Sequence, residues 1–133
     1  MFSELLLDDP LQQVLADLSY TDMTEVQETA IPLALEGRDI IVNARTGSGK
    51  TLAYCLPMIQ QILDNPRPAE HRTQALVLAP TRDLCRQINK QISLLAKYTG
   101  ITSTVIIGGE DPRYQKQALL KRPDIVIATP GRL

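Results

Sequence analysis

The sequence predicts an α/β fold in three layers, with a mainly parallel sheet covered by helices on both faces. Three observations predict it. Short runs rich in Val, Ile and Leu recur along the chain without polar alternation, as in strands covered on both sides. Stretches with apolar residues at helical spacing separate these runs. A glycine-rich loop joins the first apolar run to a helical stretch. Strand–helix alternation of this kind implies right-handed crossovers and parallel strands.

The elements follow in chain order. Leu11, Val14, Leu15 and Leu18 fall at i, i+3, i+4, i+7 and predict a helix. Asp39–Asn43 (DIIVN) predicts the first strand. Leu52, Leu56, Ile59 and Leu63 predict the helix after the glycine-rich loop. Ala75–Ala79 (ALVLA) predicts a second strand, and Leu84, Ile88, Ile92 and Leu95 a helix that Gly100 closes. Ser103–Ile107 (STVII) and Asp124–Ala128 (DIVIA) predict two more strands. The chain divides into a helical region, 1–37, and a strand–helix region, 38–133. Loops at the carboxyl ends of the strands gather along one edge, where such folds bind ligands.

Composition sets further bounds. Hydrophobic content of 44% and charged content of 22% are ordinary for a globular chain of 133 residues. Aromatic content is 4% with no Trp, so the core is built from Leu, Ile, Val and Ala. The net charge of −1 hides an asymmetry: residues 1–66 hold three basic and ten acidic groups, residues 67–133 eleven basic and five acidic. That split fits either a polyanion on one face or solvated helix faces. Cys55 and Cys85 have no CxxC spacing, which predicts neither a structural metal nor a disulfide and fits a reducing, cytoplasmic setting. The start of the chain, MFSELLLDDP, has no basic region of a secretory signal. No stretch approaches the ~18 apolar residues of a membrane helix. His71, the single histidine, lies in a polar segment and reads as a loop residue.

Ala44–Thr51 (ARTGSGKT) carries the strongest chemical signal. It follows an expected strand and opens an expected helix, the context a phosphate-binding loop requires. Its glycines let backbone N–H groups approach an anion, and the helix N-terminus adds positive charge. Lys50 is placed to reach the β- and γ-phosphates of ATP, or the β-phosphate of ADP, and the Thr51 hydroxyl to hold Mg²⁺. Ala44 stands where the general GxxxxGK[ST] pattern has its first Gly.

Upstream, Gln27 has two readings. Its amide can pair with the N6 and N7 edge of adenine, with Tyr20 stacking on the base. Thr24 and Gln27 before an apolar run also form a capping box, which spacing alone favours.

In order and spacing, these motifs resemble those of the DEAD-box RNA helicases. The family's phosphate loop reads AxTGSGKT, which Ala44–Thr51 fits, Ala44 included. Its adenine-reading Q motif is matched by Ser19–Gln27, with Thr24 and Gln27 kept, Tyr20 in place of Phe, and Phe2 at the upstream aromatic position; Ser19, Met23 and Val26 depart from it. Its PTREL motif appears as Pro80–Leu84 with Asp83 for Glu, its GG pair as Gly108-Gly109, and its TPGRL motif as Thr129–Leu133.

The resemblance implies a RecA-like P-loop domain, truncated, and ATP-dependent remodelling of RNA duplexes. It implies a nucleotide site of Phe2, Tyr20, Thr24, Gln27, Thr46, Gly47, Ser48, Gly49, Lys50 and Thr51. Lys50 and Thr51 would serve catalysis and Thr51 the metal. It implies sequence-independent RNA-backbone contact by Pro80, Thr81, Arg82, Gly108, Gly109, Thr129, Pro130, Gly131 and Arg132. The Asp-Glu-Ala-Asp box and the second RecA-like lobe are not in the 133 residues, so the chain alone is expected to bind nucleotide without hydrolysing it. A P-loop ATPase acting on DNA or protein, and a non-enzymatic nucleotide- or RNA-binding module, remain as alternatives.

Overall fold

A computed structural model describes residues 1–45, 47, 49–65, 73–109 and 111–132. The chain forms two compact units, one of Met1–Asn65 with Leu95–Thr99 and one of Pro66–Leu94 with Gly100–Leu133.

The first unit is helical. A short 3-10 turn, Phe2–Glu4, precedes α1 (Asp9–Asp17), α2 (Glu25–Leu35) and α3 (Lys50–Asp64). Pro10 suits the first turn of α1, where its missing N–H breaks no helical bond. Leu11, Val14 and Leu15 turn inward as their spacing predicts. Thr24 caps α2: its hydroxyl accepts from the Gln27 N–H, and the Gln27 side chain accepts from the Thr24 N–H at 2.9 Å. The capping box is therefore formed. α3 buries Leu52, Cys55, Leu56 and Ile59 on one face. It also buries Gln60, whose amide is satisfied by Asp8 (N–H at 2.8 Å, carboxylate at 3.1 Å) and by the Asp64 carboxylate.

The expected strand at Asp39–Asn43 does not form. Residues 38–45 are irregular, and Ile41 is fully exposed. A strand exists only by exchanging hydrogen bonds with a neighbour, and this run has no ladder partner among the described residues. Its apolar composition was read correctly; the pairing that composition serves is not there.

The second unit holds the sheet. β1 (Ala75–Leu78), β2 (Ser103–Ile106) and β3 (Ile125–Ala128) are all parallel, in the order β1-β3-β2. Helix α4 (Arg82–Leu95) connects β1 to β2, and α5 (Pro112–Leu120) connects β2 to β3. The central strand is buried at every residue, which matches its unbroken Ile-Val-Ile-Ala run. β1 alternates instead, with Leu76 and Leu78 half open to solvent. Its apolar run therefore lies on a sheet edge with one face uncovered, where double coverage was expected.

Asp124, just before β3, fixes the register of all three strands. Its carbonyl accepts from the Gln74 and Ala75 N–H groups, and its carboxylate from the Thr102 N–H at 3.0 Å. Thr73 adds a bond to the Pro123 carbonyl at 2.7 Å.

Both cysteines are free and buried. Burial pushes the Cys55 thiol up to about 12, against an ordinary 9.0. The unfolded chain therefore loses this proton first, and stability falls as pH rises through that window. Iodoacetamide at about pH 8 should leave Cys55 unlabelled in the folded chain and label it after denaturation, read by mass spectrometry. Prompt labelling of the folded chain would show that the inner face of α3 opens.

Candidate nucleotide and nucleic-acid site

In the helical unit, α3 begins at Lys50, directly after Gly49, and presents the N–H groups of its first turn at the phosphate loop. From Ile40 to Leu63 the sequence has no acidic residue, so the donor set there is an ammonium, a hydroxyl and a helix N-terminus. That set suits an anion. The Lys50 ammonium donates to the Ala44 carbonyl, across the base of the loop. Thr51 is half-buried in the first turn. Thr46 and Ser48 lie outside the described residues.

Gln27 reaches this loop. Besides its bond to Thr24, its side-chain N–H donates to the Gly49 carbonyl at 3.2 Å. Gly49 has φ +88°, and a Cβ there would lie 2.5 Å from Gln27 Nε2 and 2.9 Å from Thr24 Oγ1. Only glycine lets α2 and the phosphate loop approach so closely. The cap reading of Gln27 is therefore realised, and the same amide also bonds the loop.

Tyr20 stands partly exposed. Phe2 opens the short 3-10 turn. It is buried at 2% exposure, its N–H donates to the Thr21 carbonyl, and its own carbonyl accepts from the Gln12 side chain. This ring packs in the core and ties the chain's start to the segment ahead of α2. A cavity of about 430 Å³ runs beside the loop, lined by Ala30 and Ala34 of α2, Ile40 and Val42, and Lys50, Tyr54 and Pro57 of α3 among others. Neither Gln27 nor Tyr20 lines it. It follows the uncovered side of the run that was expected to be a strand.

In the sheet unit, the loops after the three strands meet. One groove, about 550 Å³, is lined by Pro80, Thr81, Arg82, Gly108, Thr129, Pro130, Gly131 and Arg132. Every one of these residues was expected on the RNA side, and Gly109 is the only expected one absent from the lining. Among the described residues, two guanidinium groups and no carboxylate line the groove, an arrangement suited to phosphate.

Thr81 is also a helix cap, its hydroxyl accepting from the Leu84 N–H at 3.2 Å. Arg82 donates to the Gly108 carbonyl at 3.3 Å. Gly109 has φ +84°, and a Cβ there would collide with Arg82 Nη1. The guanidinium thus occupies space that the glycine leaves open. Asp83 pairs with Arg86 one turn along α4 at 3.5 Å, both exposed, so it has a local partner of little energetic weight.

Sequence reasoning missed Gln115. It is buried in α5, and its side-chain N–H donates to the Ile107 carbonyl at 2.6 Å, immediately before the glycine pair. The signal was a polar residue on the inward face of a helix, a position that is normally apolar unless the group has a partner.

Comparison with known proteins bears on these sites. The family model described as DEAD/DEAH box helicase matches residues 24–133. The chain is 48% identical to Probable ATP-dependent RNA helicase DDX47 of Homo sapiens, over 99% of this chain and 28% of that protein. It is 46% identical to the ATP-dependent rRNA helicase rrp3 of Aspergillus terreus, over 99% of this chain and 29% of that one. It superposes on the RNA helicase Prp28 of Chaetomium thermophilum bound to ADP with a TM-score of 0.85 and 39% identity, over 95% of this chain and 31% of that one. For a hypothetical ATP-dependent RNA helicase of Sulfolobus tokodaii the TM-score is 0.79 and the identity 35%, over 95% and 35%. The chain thus spans under a third of the length of the curated relatives it matches.

Substituting Gly109→Ala should displace Arg82 from the Gly108 carbonyl and strain the backbone, costing about 1–2 kcal/mol in a thermal melt. Gly131→Ala, with open space around it and no positive φ, should change stability by no more than about 0.5 kcal/mol. Equal effects of the two would mean that Arg82 does not fill the space at Gly109.

Proposed function

We propose, from the premise that this chain belongs to the DEAD/DEAH box helicase family and shares its RecA-like α/β fold, that it is the ATP- and RNA-gripping part of an ATP-dependent RNA helicase. The observation that carries this reading is the convergence of three separate loops on one groove with two arginines. Backbone gripping needs cations and close approach, without base-reading groups. Arg82 and Arg132 supply the first, Gly108 and Gly131 the second, and Thr81, Thr129 and Pro130 shape the walls.

On the nucleotide side, the N–H groups around Gly47 and Gly49 with the start of α3 hold phosphate oxygens, and Lys50 neutralises them. Lys50 must first leave the Ala44 carbonyl to do so. The Thr51 hydroxyl is the ligand this chain offers to Mg²⁺, which when bound neutralises phosphate charge. Gln27 keeps one lone pair and one N–H beyond its two bonds, enough to read the N6 and N7 edge of adenine while capping α2. Tyr20, partly exposed, serves as the stacking surface. Phe2 supports that segment from beneath. The two free, buried thiols support a cytoplasmic, reducing setting. No helix is long and apolar enough to cross a membrane among the described residues.

Two measurements test this. In the complete protein, RNA should stimulate ATP hydrolysis, and DNA of the same length should not; equal stimulation by DNA would reassign the substrate. In the 133-residue chain, Lys50→Ala should weaken ADP binding at least about tenfold, since charge-assisted bonds contribute roughly 1.5–3 kcal/mol each. The same isolated chain should release no phosphate from ATP above that variant, because phosphoryl transfer also needs an anchored metal, a positioned water and added positive charge. Gln27→Ala should cost about 1–2 kcal/mol of stability through its cap and also erase a preference for ADP over GDP. A stability loss with preference intact would limit Gln27 to structure.

A further inference from the structure

The charge excess of the second half of the chain is not used up by the groove. Helix α5, its C-cap Lys121 and the residue after it hold Arg113, Lys116, Lys121 and Arg122 and no acidic residue. Arg113 is engaged by Asp111, the N-cap, at 3.2 Å. Lys116, Lys121 and Arg122 are exposed and form no ion pair with any described residue. Tyr114, on the same helix, is 70% exposed. Tyr114 and Lys121 are seven positions apart and so share one side of the helix.

Arg122 follows the C-cap with φ +55°, as Ser19 follows that of α1 with φ +60°; this left-handed step ends a helix and leaves Arg122 exposed beyond it.

Position decides what the role of these cations is. α5 starts three residues after Gly109, at the same end of the strands as the groove. β2 and β3 are parallel, so α5 must run back from that edge. Its cations, which pair with no described residue, therefore lead away from the groove along the outside of the sheet unit.

We infer that α5 is a second contact for the RNA backbone: Lys116, Lys121 and Arg122 hold phosphates of the strand that leaves the groove, and Tyr114 offers a stacking surface to one of its bases. The inference rests on the RNA reading of the groove. Exposed cations and an exposed aromatic on one helix suit a single strand, and the contact is continuous with the loop that lines the groove.

The test uses the complete protein, wild type and a variant combining Lys116→Ala, Lys121→Ala and Arg122→Gly. Alanine favours the helix and glycine favours the left-handed position, so the variant should fold, as its melting transition will show. Binding is measured by fluorescence anisotropy on single-stranded RNA of about six nucleotides, which fills the groove alone, and of about twenty, which runs past it. The expected result is unchanged affinity for the short RNA and a loss of about five- to twentyfold for the long one. The salt slope for the long RNA should fall by about two, near 0.7 for each lost contact. If wild type binds neither RNA, the reading of the groove itself fails. If wild type binds both and the variant holds the long RNA equally well, α5 does not touch RNA and its face is left to a protein partner. A Lys116→Gln, Lys121→Gln variant, which leaves Arg122 in place, should show about two-thirds of the loss in salt slope; no loss there overturns the inference as well.

Discussion

Asp124 meets both neighbours of the central strand, and the sheet unit depends on that meeting. Its carbonyl takes the N–H groups that begin β1, and its carboxylate takes the Thr102 N–H just ahead of β2. Ala75, Ser103 and Ile125 are thereby set level. With the starts aligned and the strands equal in length, the ends are aligned too, and the three loops emerge side by side. A slip of one residue would turn every side chain of a strand to the opposite face. The groove of Arg82 and Arg132 is thus fixed from the far end of the sheet.

The helical unit relies on one amide in a comparable way. Gln27 closes the first turn of α2 and also bonds the carbonyl that precedes α3. A shorter side chain could cap the helix without reaching Gly49. The fit is close because Gly49 has no Cβ, so the two residues constrain each other. Any change in the conformation of the phosphate loop must pass through the start of α2.

Much of this was legible beforehand, for identifiable reasons. The glycines, Lys50 and the two arginines sit in loops where chemistry dictates residue type, and their spacing survives as pattern. Ile125–Ala128 was read as a covered strand because continuous burial leaves a continuous apolar run. The failures arise where composition underdetermines partners. Ile40, Ile41 and Val42 look like Leu76–Leu78 in sequence, yet only the latter find a ladder. Leu76 and Leu78 have a ladder but one open face, which a four-residue run cannot reveal. Asp124 and Gln115 escaped because a buried polar group is defined by its partners, and those lie in distant parts of the chain.

The contact between Lys50 and the Ala44 carbonyl has a thermodynamic meaning beyond geometry. The carbonyl is an intramolecular competitor for the same ammonium that an incoming phosphate needs. Apparent affinity for any anion is lowered by the fraction of time Lys50 spends there. Loosening that contact would tighten binding without adding a single interaction to the ligand. Whatever affinity this loop has for an anion is therefore partly a property of its ligand-free ensemble.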